Sequence, residues 1–321
     1  MSLPTVGSAD ARPRASAGRN VSPRLLRSLA TKARRGLRMT PLLPAVALIA
    51  IFLAGPSVWA VFGALTDTAL TGPAAANPQF VGLDNYERLF ADPVLLLSLG
   101  VTVAFVVGSA IVGQNVLGIG LALLMRVSSG WSGAVTGTIV VTAWVLPEIV
   151  AAFISYAYFS GDGTLNQVLA WFGVTGKNWL YATPLAAIVL ANTWRGTAFS
   201  MLIYRAALNE VPPELTESAM LDGATAWQRL RYVTLPMIRG SIFTNLMLTT
   251  LQTLSVFTLI WVMTAGGPGD LSSTLPVLAY REAFKFGDIG YGNAIAVVMV
   301  AIGAVFAAAY VFSLRRGERE S

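Results

Sequence analysis

The chain has no cysteine and no histidine, and only 12% of its 321 residues are charged. Without these two residue types it forms no disulfide, no Cys/His zinc site and no Ser-His-Asp triad. It also lacks the Gly-x-x-x-x-Gly-Lys-Ser/Thr loop that binds nucleotide phosphates in many ATPases. Ordinary soluble domains are roughly 25% charged. The low charge, together with a hydrophobic content of 55%, therefore indicates an integral membrane protein.

The apolar residues are gathered into six runs, each long enough to cross a bilayer. A spanning helix needs about 20 apolar residues, and helices are expected because open strands would leave backbone groups unpaired in lipid. The predicted spans are residues 42–66, 94–125, 134–159, 184–208, 237–264 and 290–314. The first run exceeds the roughly 7–15 residues of a signal peptide's apolar region, which favours a retained helix. The sequence thus predicts an all-α integral membrane protein, with its six-helix domain over residues 41–315.

The basic residues predict how these spans are oriented. Residues 1–40 hold nine Lys or Arg and no apolar periodicity, which is typical of a disordered tail. With this tail inside the cell, 17 basic residues lie on the inner side and four lie in the outer loops. Because inner loops carry the excess of Lys and Arg, both termini are expected in the cytoplasm, including a short tail at 316–321. The net charge of +6 then reflects topology, and membrane lipids rather than nucleic acid are the expected partner of the tail.

A polar segment, residues 209–236, separates the fourth and fifth apolar runs. Pro212 and Pro213 are expected to end the fourth helix and to start a short new one, because proline suits a first helical turn. Gly223 is expected to let the backbone turn sharply. Connections between neighbouring helices of a bundle usually have about 2–8 residues. A segment of this length is therefore predicted to have a function of its own.

The motif in this segment resembles the loop by which permease subunits of binding-protein-dependent ABC importers dock onto their ATPases. The family's loop reads Glu-Ala-Ala, three residues, Gly, nine residues, Ile, one residue, Leu-Pro; here Ser218 stands for the first Ala and Val233 for Ile. The resemblance implies a cytoplasmic coupling helix between helices 4 and 5 that inserts into a groove on the ATPase. The residues to which it assigns this contact are Glu214, Glu217, Ser218, Ala219, Asp222, Gly223 and Pro236.

Other motifs are similar to the sugar-importing, maltose-type members of this family. They are Asp84-Asn85-Tyr86, Leu146-Pro147, Gly163-Thr164-Leu165-Asn166 and Trp194-Arg195-Gly196. Among these members, the chain most resembles a permease of mycobacterial trehalose importers. The resemblance implies a subunit of a bacterial inner (plasma) membrane importer that translocates a sugar, such as the disaccharide trehalose, by alternating access. The implied partners are a second homologous permease, two ATPase subunits that use ATP and Mg, and an extracytoplasmic sugar-binding protein. No cofactor or metal is expected on this chain, and no catalysis.

Polar side chains in three of the predicted spans are candidates for a substrate path. Charges at mid-bilayer cost about 2.5–3.5 kcal/mol, so Glu148 and Arg195 are candidates for function, or for pairing with each other. Polar stripes with interleaved aromatic rings would suit a neutral sugar. Alternatively, polar side chains join neighbouring membrane helices, at about 0.6 kcal/mol each. The candidates are Glu148 in the third span, Asn192, Arg195, Gly196 and Phe199 in the fourth, and Asn245, Thr249, Gln252 and Thr253 in the fifth.

Three other classes of protein are alternatives to an importer: an ion-coupled secondary transporter, a membrane scaffold and a membrane enzyme. An ion-coupled secondary transporter of a small polar solute would need several buried carboxylates or broken helices around its ion sites. The spans hold a single candidate carboxylate, Glu148. A membrane scaffold would have no use for the polar stripes. A membrane enzyme is disfavoured because the spans carry no paired acids and no nucleophile with a base.

Overall fold

The computed structural model describes residues 43–128 and 130–319, and the side chains of residues 44–128 and 130–313. The predicted basic tail, residues 1–40, and the last two residues of the chain lie outside the described residues. Regular structure in the described part is helical, and its strand-like pairings are two isolated bridges, Thr66 with Phe80 and Ala69 with Asp288. The prediction of an all-α fold is confirmed.

Fifteen helical segments, numbered in chain order, make up the described part, and four of them contain a π-helical turn. They are α1 (Leu43–Ile49, a π turn at Ala50–Ala54, then Gly55–Gly63), α2 (Pro73–Ala76), α3 (Asp84–Ala91), α4 (Pro93–Phe105, a π segment at Val106–Gln114, then Asn115–Val127), α5 (Trp131–Val145), α6 (Glu148–Phe159), α7 (Thr164–Trp171), α8 (Trp179–Ala182), α9 (Pro184–Asn209), α10 (Pro213–Leu221), α11 (Ala226–Arg229, a π turn at Leu230–Thr234, then Leu235–Met237), α12 (Arg239–Leu254), α13 (Thr258–Thr264), α14 (Leu275–Tyr280, then a π turn at Arg281–Lys285) and α15 (Ile289–Arg319). The chain divides into two compact units, Met1–Ser57 and Val58–Ser321. The described part of the first unit is the beginning of α1, and the contacts discussed below all belong to the second.

Three helices of the described chain are long and apolar enough to cross a membrane by themselves: Pro44–Gly63, Pro93–Val127 and Ile289–Ser313. The number rises to five if each of two bent helix pairs is counted as one span. The helix α9 has 26 residues, about 39 Å at 1.5 Å per residue, but it carries more polar side chains than these three. The count of six spans stays a prediction.

Two of the predicted spans are interrupted by a bend. The span at 134–159 is bent at Leu146-Pro147, where α5 meets Glu148–Trp171, the stretch that holds α6 and α7, at an angle of 105°. Proline lacks a backbone N–H and clashes with the preceding turn, so it breaks a helix. The span at 237–264 consists of α12 and α13, bent by 49°. No proline lies at this second break, where the N–H of Val256 donates to the carbonyl of Thr253 at 3.1 Å in a tightened last turn.

The helix α9 lies at the centre of the second unit and packs against α4, α5, α6 and α12. Its contact with α4 is close because glycines of α4 face it. A Cβ atom added at Gly118 would lie 2.5 Å from the Cβ of Ser200, and one at Gly113 would lie 2.4 Å from the hydroxyl oxygen of Thr193. Small residues let membrane helices approach closely enough for van der Waals contact along their length. The helices α4 and α9 are therefore closely packed, and the substrate-path candidates of α9 lie at or beside this contact.

Two of the motifs singled out in the sequence act as caps on backbone carbonyls. The side chain of Asn85 donates to the carbonyls of Ala64 at 3.0 Å and Thr66 at 2.8 Å, just after the end of α1. The last carbonyls of a helix lack intrahelical donors, so an amide side chain satisfies them. Asn166 does the same between two loops: it donates to Gly161 at 2.7 Å and Lys177 at 2.8 Å. These asparagines fix loop geometry.

Candidate functional site

The polar segment forms a short helix followed by a sharp turn. The helix α9 ends at Asn209 and α10 begins at Pro213, as the two prolines predict. After α10, Gly223 has a φ of 81°, a left-handed value that costs an L-residue about 1–2 kcal/mol. The N–H of Ala224 donates to the carbonyl of Ala219 at 2.9 Å, and that of Gly223 to Met220 at 3.0 Å. These two bonds close the end of α10 as a glycine-terminated helix cap.

The next helix begins with its own cap and is hydrogen-bonded back to the turn that follows α10. The Thr225 hydroxyl accepts from the N–H of Gln228 at 3.3 Å, and the Gln228 side chain accepts from the N–H of Thr225 at 2.7 Å. This reciprocal pair satisfies two orphan N–H groups at the start of α11. The guanidinium of Arg229 donates to the carbonyl of Ala224 at 2.9 Å. The turn between α10 and α11 is therefore held from both sides.

The sequence-predicted docking residues lie together on the surface of this segment. Exposed among them are Glu214, Glu217, Ser218, Asp222, Gly223 and Pro236, while Ala219 is half-buried. Large apolar side chains are exposed beside them: Leu221 is 90% exposed, Tyr232 74% and Trp227 68%. Contiguous exposed apolar surface rimmed by polar residues is typical of a protein–protein contact. A concave region of about 330 Å³ lies beside Gly223 and Tyr232.

Both ends of the segment are anchored in the helical core. Val211 is 5% exposed and Ile238 is 4% exposed, and both belong to one apolar cluster with Tyr204 and Leu208 of α9. Close-packed protein interiors have low compressibility and transmit strain. A force on α10 would therefore reach α9 and α12 through this cluster.

Four of the nine substrate-path candidates are buried between helices. Asn192 of α9 donates to the hydroxyl of Ser109 at 2.8 Å and to that of Thr253 at 3.3 Å. Its backbone carbonyl accepts from the Gln114 side chain at 3.2 Å. Asn192, Asn245, Thr249 and Thr253 are each at most 3% exposed. Asn192, Asn245 and Thr253 take part in bonds between helices α4, α9 and α12, whereas the hydroxyl of Thr249 donates to carbonyls of its own helix.

A second polar network lies nearer to the polar segment. Asn115 of α4 accepts from the hydroxyl of Tyr204 and, at 2.8 Å, from the side chain of Asn245. Asn245 also donates to Ser200 at 3.0 Å. Its own side-chain oxygen is buried without a hydrogen-bond partner among the described residues. The network ties α4, α9 and α12 together at one level.

The other candidates lie on partly or fully accessible faces. Gln252 is exposed, and Arg195, Gly196 and Phe199 are half-buried. The Nε atom of Arg195 is buried and has no hydrogen-bond partner in the described part of the chain. Close packing explains why residue 196 is a glycine, because a Cβ atom there would lie 2.3 Å from the side chain of Gln114. Arg195, Phe199 and Gln252 thus retain accessible side-chain surface, as does the half-buried Glu148.

Two cavities open along α9, one on each side of the break between α5 and α6. One has a volume of about 550 Å³ and is lined by Ser155, Tyr158 and Trp194, among others. The other has about 930 Å³ and is lined by residues of α5 and by Met201 and Arg205 of α9. Between them the ring of Trp144 meets that of Phe199, with centroids 5.8 Å apart. Ligand pockets commonly have about 300–1,000 Å³, so each cavity is large enough for a small solute.

The sequence did not single out Tyr158 and Trp194 as site residues. Tyr158 stands beside Phe159 on α6, and Trp194 stands one residue before Arg195 on α9. A signal existed, because aromatic residues next to polar ones in a span are candidates for sugar contacts. Only the bend at Pro147 brings the two helices into the arrangement that encloses this cavity.

Glu148 does not pair with Arg195 in this structure. Its carboxylate accepts from the backbone N–H of Leu259 at 3.0 Å. The ion pairs that Arg88 and Arg281 form do not include Glu148. Of the two alternatives that the sequence left open for these charges, pairing with each other is not found among the described residues.

The fold and the polar segment match those of a known protein family. The model of the family described as "binding-protein-dependent transport system inner membrane component" matches residues 114–318. The chain belongs to this family. Its members are the transmembrane permease components of ABC importers, in which a separate ATPase hydrolyses ATP, so this permease is a transport subunit and not an enzyme. The resemblance inferred from the motifs is confirmed.

Among similar proteins is the trehalose/maltose transport system permease protein MalF of Thermococcus litoralis. It is 34% identical over 240 residues, which cover 72% of this permease and 79% of that protein. The trehalose transport system permease protein SugA of Mycobacterium tuberculosis is 30% identical over 280 residues, or 87% and 88% of the two chains. A crystal structure of a bacterial ABC transporter that imports the acidic polysaccharide alginate matches in fold, with a TM-score of 0.75 at 23% identity, covering 91% and 99%.

The helix breaks are compatible with an ion-coupled transporter as well as with an importer, but the family membership favours the importer. Broken helices, which that alternative predicts, are present in α5–α6 and α12–α13. No Asp or Glu is among the buried polar side chains of the described residues, and no group of three or more potential metal ligands occurs there. The helix breaks therefore do not separate the two classes, whereas membership of the importer family does.

Proposed function

We propose that this permease carries a neutral sugar through a bacterial inner membrane by alternating access, driven by ATPase subunits that dock on the surface of α10. The observation that carries this proposal is the geometry of residues 209–236: an exposed helix with exposed apolar neighbours on a base that is buried in the core. In the proposed cycle, ATP closes the ATPase dimer, α10 moves with it, and hydrolysis reverses the movement. The proposed partners are a second permease, two ATPases and a sugar-binding protein.

The orientation follows from this role. The ATPase and its ATP are cytoplasmic, so α10 lies on the cytoplasmic side. Both termini then lie in the cytoplasm, since an even number of spans would separate each of them from α10. The excess of basic residues on that side supports the same orientation.

A sugar is the substrate class that the site supports best. The cavity of about 550 Å³ combines a hydroxyl from Ser155 with the rings of Tyr158 and Trp194. Rings stack on the C–H faces of a sugar, and the hydroxyls need donors and acceptors. The two named relatives transport trehalose or maltose, which supports a disaccharide such as trehalose. Arg195, Phe199 and Gln252 complete the proposed path because they keep accessible surface nearby on α9 and α12.

The docking role is tested by co-purification from native membranes. The tagged permease is compared with Glu217→Ala and with Glu210→Ala, a matched exposed acid just before α10. Wild type and the control are expected to retain an ATPase and a second permease, whereas Glu217→Ala is expected to lose the ATPase or its stimulated hydrolysis. An absence of any ATPase with wild type in mild detergent would refute the docking role.

The substrate is tested by uptake into proteoliposomes that contain the complete complex. Labelled trehalose and maltose are each supplied with the binding protein and ATP, and then with an ion gradient in place of ATP. ATP-dependent uptake is expected, with a raised KM in Tyr158→Ala and Trp194→Ala. Uptake that follows the ion gradient and ignores ATP would instead support the ion-coupled alternative.

A further inference from the structure

The two helix breaks of this permease are connected to each other. The segments that follow the breaks, α6 and α13, pack side by side. Ala152 of α6 and Leu259 and Ile260 of α13 are all 0% exposed and belong to one apolar cluster. The cluster also contains Ala187 and Ile188 of α9. The segments α6 and α13 thus share one buried face against the central helix.

A single side chain joins the beginnings of these two segments. Glu148 is the first residue of α6, directly after Pro147. Its Oε1 atom accepts from the N–H of Leu259, the second residue of α13, at 3.0 Å. The first N–H groups of a helix have no intrahelical acceptor, so the bond satisfies a donor that the break between α12 and α13 creates. Hydrogen bonds that a carboxylate accepts from a backbone N–H are roughly twice as strong as bonds between neutral groups.

The surroundings of Glu148 differ from those of the acids in the described ion pairs, Asp270, Glu282 and Asp288. Glu148 is half-buried, and its partner is a backbone group and not a basic side chain. Gln252, by contrast, is exposed on α12 before the second break and has no bond to α6. The bond from Glu148 spans the two breaks, 111 residues apart in the sequence.

We propose that Glu148 is a positioning residue that makes α6 and α13 move as one body when the permease changes state. This rests on the proposed importer function, because it assigns the residue a role in alternating access. The bends of 105° and 49° at the two adjacent breaks provide hinges. The bond across the breaks couples the movements of α6 and α13 at these hinges. The residue acts through α13 and touches no substrate. Removing the bond would let the two segments move separately, so that ATP is hydrolysed without a matching movement of sugar.

The test compares Glu148→Ala, which removes the acceptor, with Glu148→Gln, which keeps a neutral acceptor oxygen. Ile149→Ala is the matched control, since Ile149 is the next residue of α6 and 49% exposed. Hydrogen–deuterium exchange is followed in a peptide covering residues 256–264 of the complete complex, both without nucleotide and trapped with ATP and vanadate. Sugar transported per ATP hydrolysed is measured in the same preparations.

We expect Glu148→Ala to speed exchange at Leu259 on the order of tenfold in both states, as the loss of one half-buried hydrogen bond to a charged group implies. Sugar moved per ATP should fall severalfold in Glu148→Ala and less in Glu148→Gln, with the control unchanged. Unchanged exchange in Glu148→Ala would overturn the proposal. So would a raised KM for sugar at an unchanged ratio of sugar to ATP, since that pattern describes a substrate contact. Failure of wild type to couple ATP to sugar would count against the importer function, whereas the exchange result stands independently of it.

Discussion

Asn115 and Asn245 belong to the same buried network, yet their removal should have different consequences. Asn245→Ala removes two donated bonds, to Asn115 and Ser200. Polar contacts between membrane helices average about 0.6 kcal/mol, so the loss is about 1.2 kcal/mol. The substitution also removes a buried oxygen that has no partner among the described residues, and an unsatisfied group costs about 1–3 kcal/mol. The removal of this oxygen offsets the lost bonds, so we expect Asn245→Ala to destabilise the permease by no more than about 0.2 kcal/mol.

Asn115→Ala should destabilise the permease more than Asn245→Ala does. It removes the acceptor for both Tyr204 and Asn245, and also the bond that Asn115 donates to the carbonyl of Ala110 at 2.6 Å. Three lost bonds amount to about 1.8 kcal/mol. The hydroxyl of Tyr204, on a residue that is 1% exposed, is left buried and unpaired at a further cost of about 1–3 kcal/mol. The expected destabilisation is about 3–5 kcal/mol, several times that of Asn245→Ala.

The assay is reversible unfolding of the purified permease in mixed micelles, titrated with denaturing detergent and monitored by circular dichroism. Tyr204→Phe in the background of Asn115→Ala completes the design. It should recover part of the lost stability, because the stranded hydroxyl is gone, and such coupling is expected between contacting residues. Equal effects of the two Asn variants, or no recovery by Tyr204→Phe, would refute the network's role. A normal stability of Asn245→Ala with a raised KM for sugar would instead place Asn245 on the substrate path.

Three further predictions concern other parts of the fold. Gly223→Ala should reduce sugar-stimulated ATPase activity, because a φ of 81° costs alanine about 1–2 kcal/mol. Gly223→Asn should retain more of this activity, and equal activity in the two variants would contradict the prediction. Asn85→Ala should lower the thermal midpoint through the loss of two bonds at the end of α1, worth about 1–2 kcal/mol, without changing the KM for sugar. Burial raises the pKa of Glu282 above its ordinary 4.5, despite the opposing charge of Arg281, so the folded state holds the proton to higher pH than the unfolded state. Stability should then fall as the pH rises from about 4.5 through that raised pKa, and Glu282→Gln should remove this part of the slope in a pH series of melting curves.

Much of the local structure could be predicted from the sequence. The prolines at 212 and 213 end one helix and begin the next, and Gly223 adopts the left-handed conformation expected of a turn glycine. These features depend on the residue's own backbone preferences, so they do not need the rest of the chain. The family, too, could be inferred from the spacing of Glu217, Gly223 and Leu235-Pro236, since that motif is a local pattern.

The candidate substrate path was only partly predictable for a physical reason. Helical spacing says which residues share a face, but not what lies opposite that face. Asn192 and Asn245 fall on polar stripes, and the structure joins them to α4 instead of leaving them open. Tyr158 and Trp194 line a cavity because α6 turns at Pro147 and meets α9.

The sequence by itself determined that this protein is a helical membrane permease and that a short helix begins at Pro213 and ends in a turn at Gly223. Each of these follows from composition, local periodicity or a short motif, in which the interacting residues are neighbours in the chain. Only the tertiary structure decided that Glu148 binds the backbone of Leu259 rather than Arg195, and that the second break lies at Ser255 to Phe257 without a proline. Contacts between residues more than 100 positions apart depend on how whole helices are bent and placed, and that information is held by no single segment.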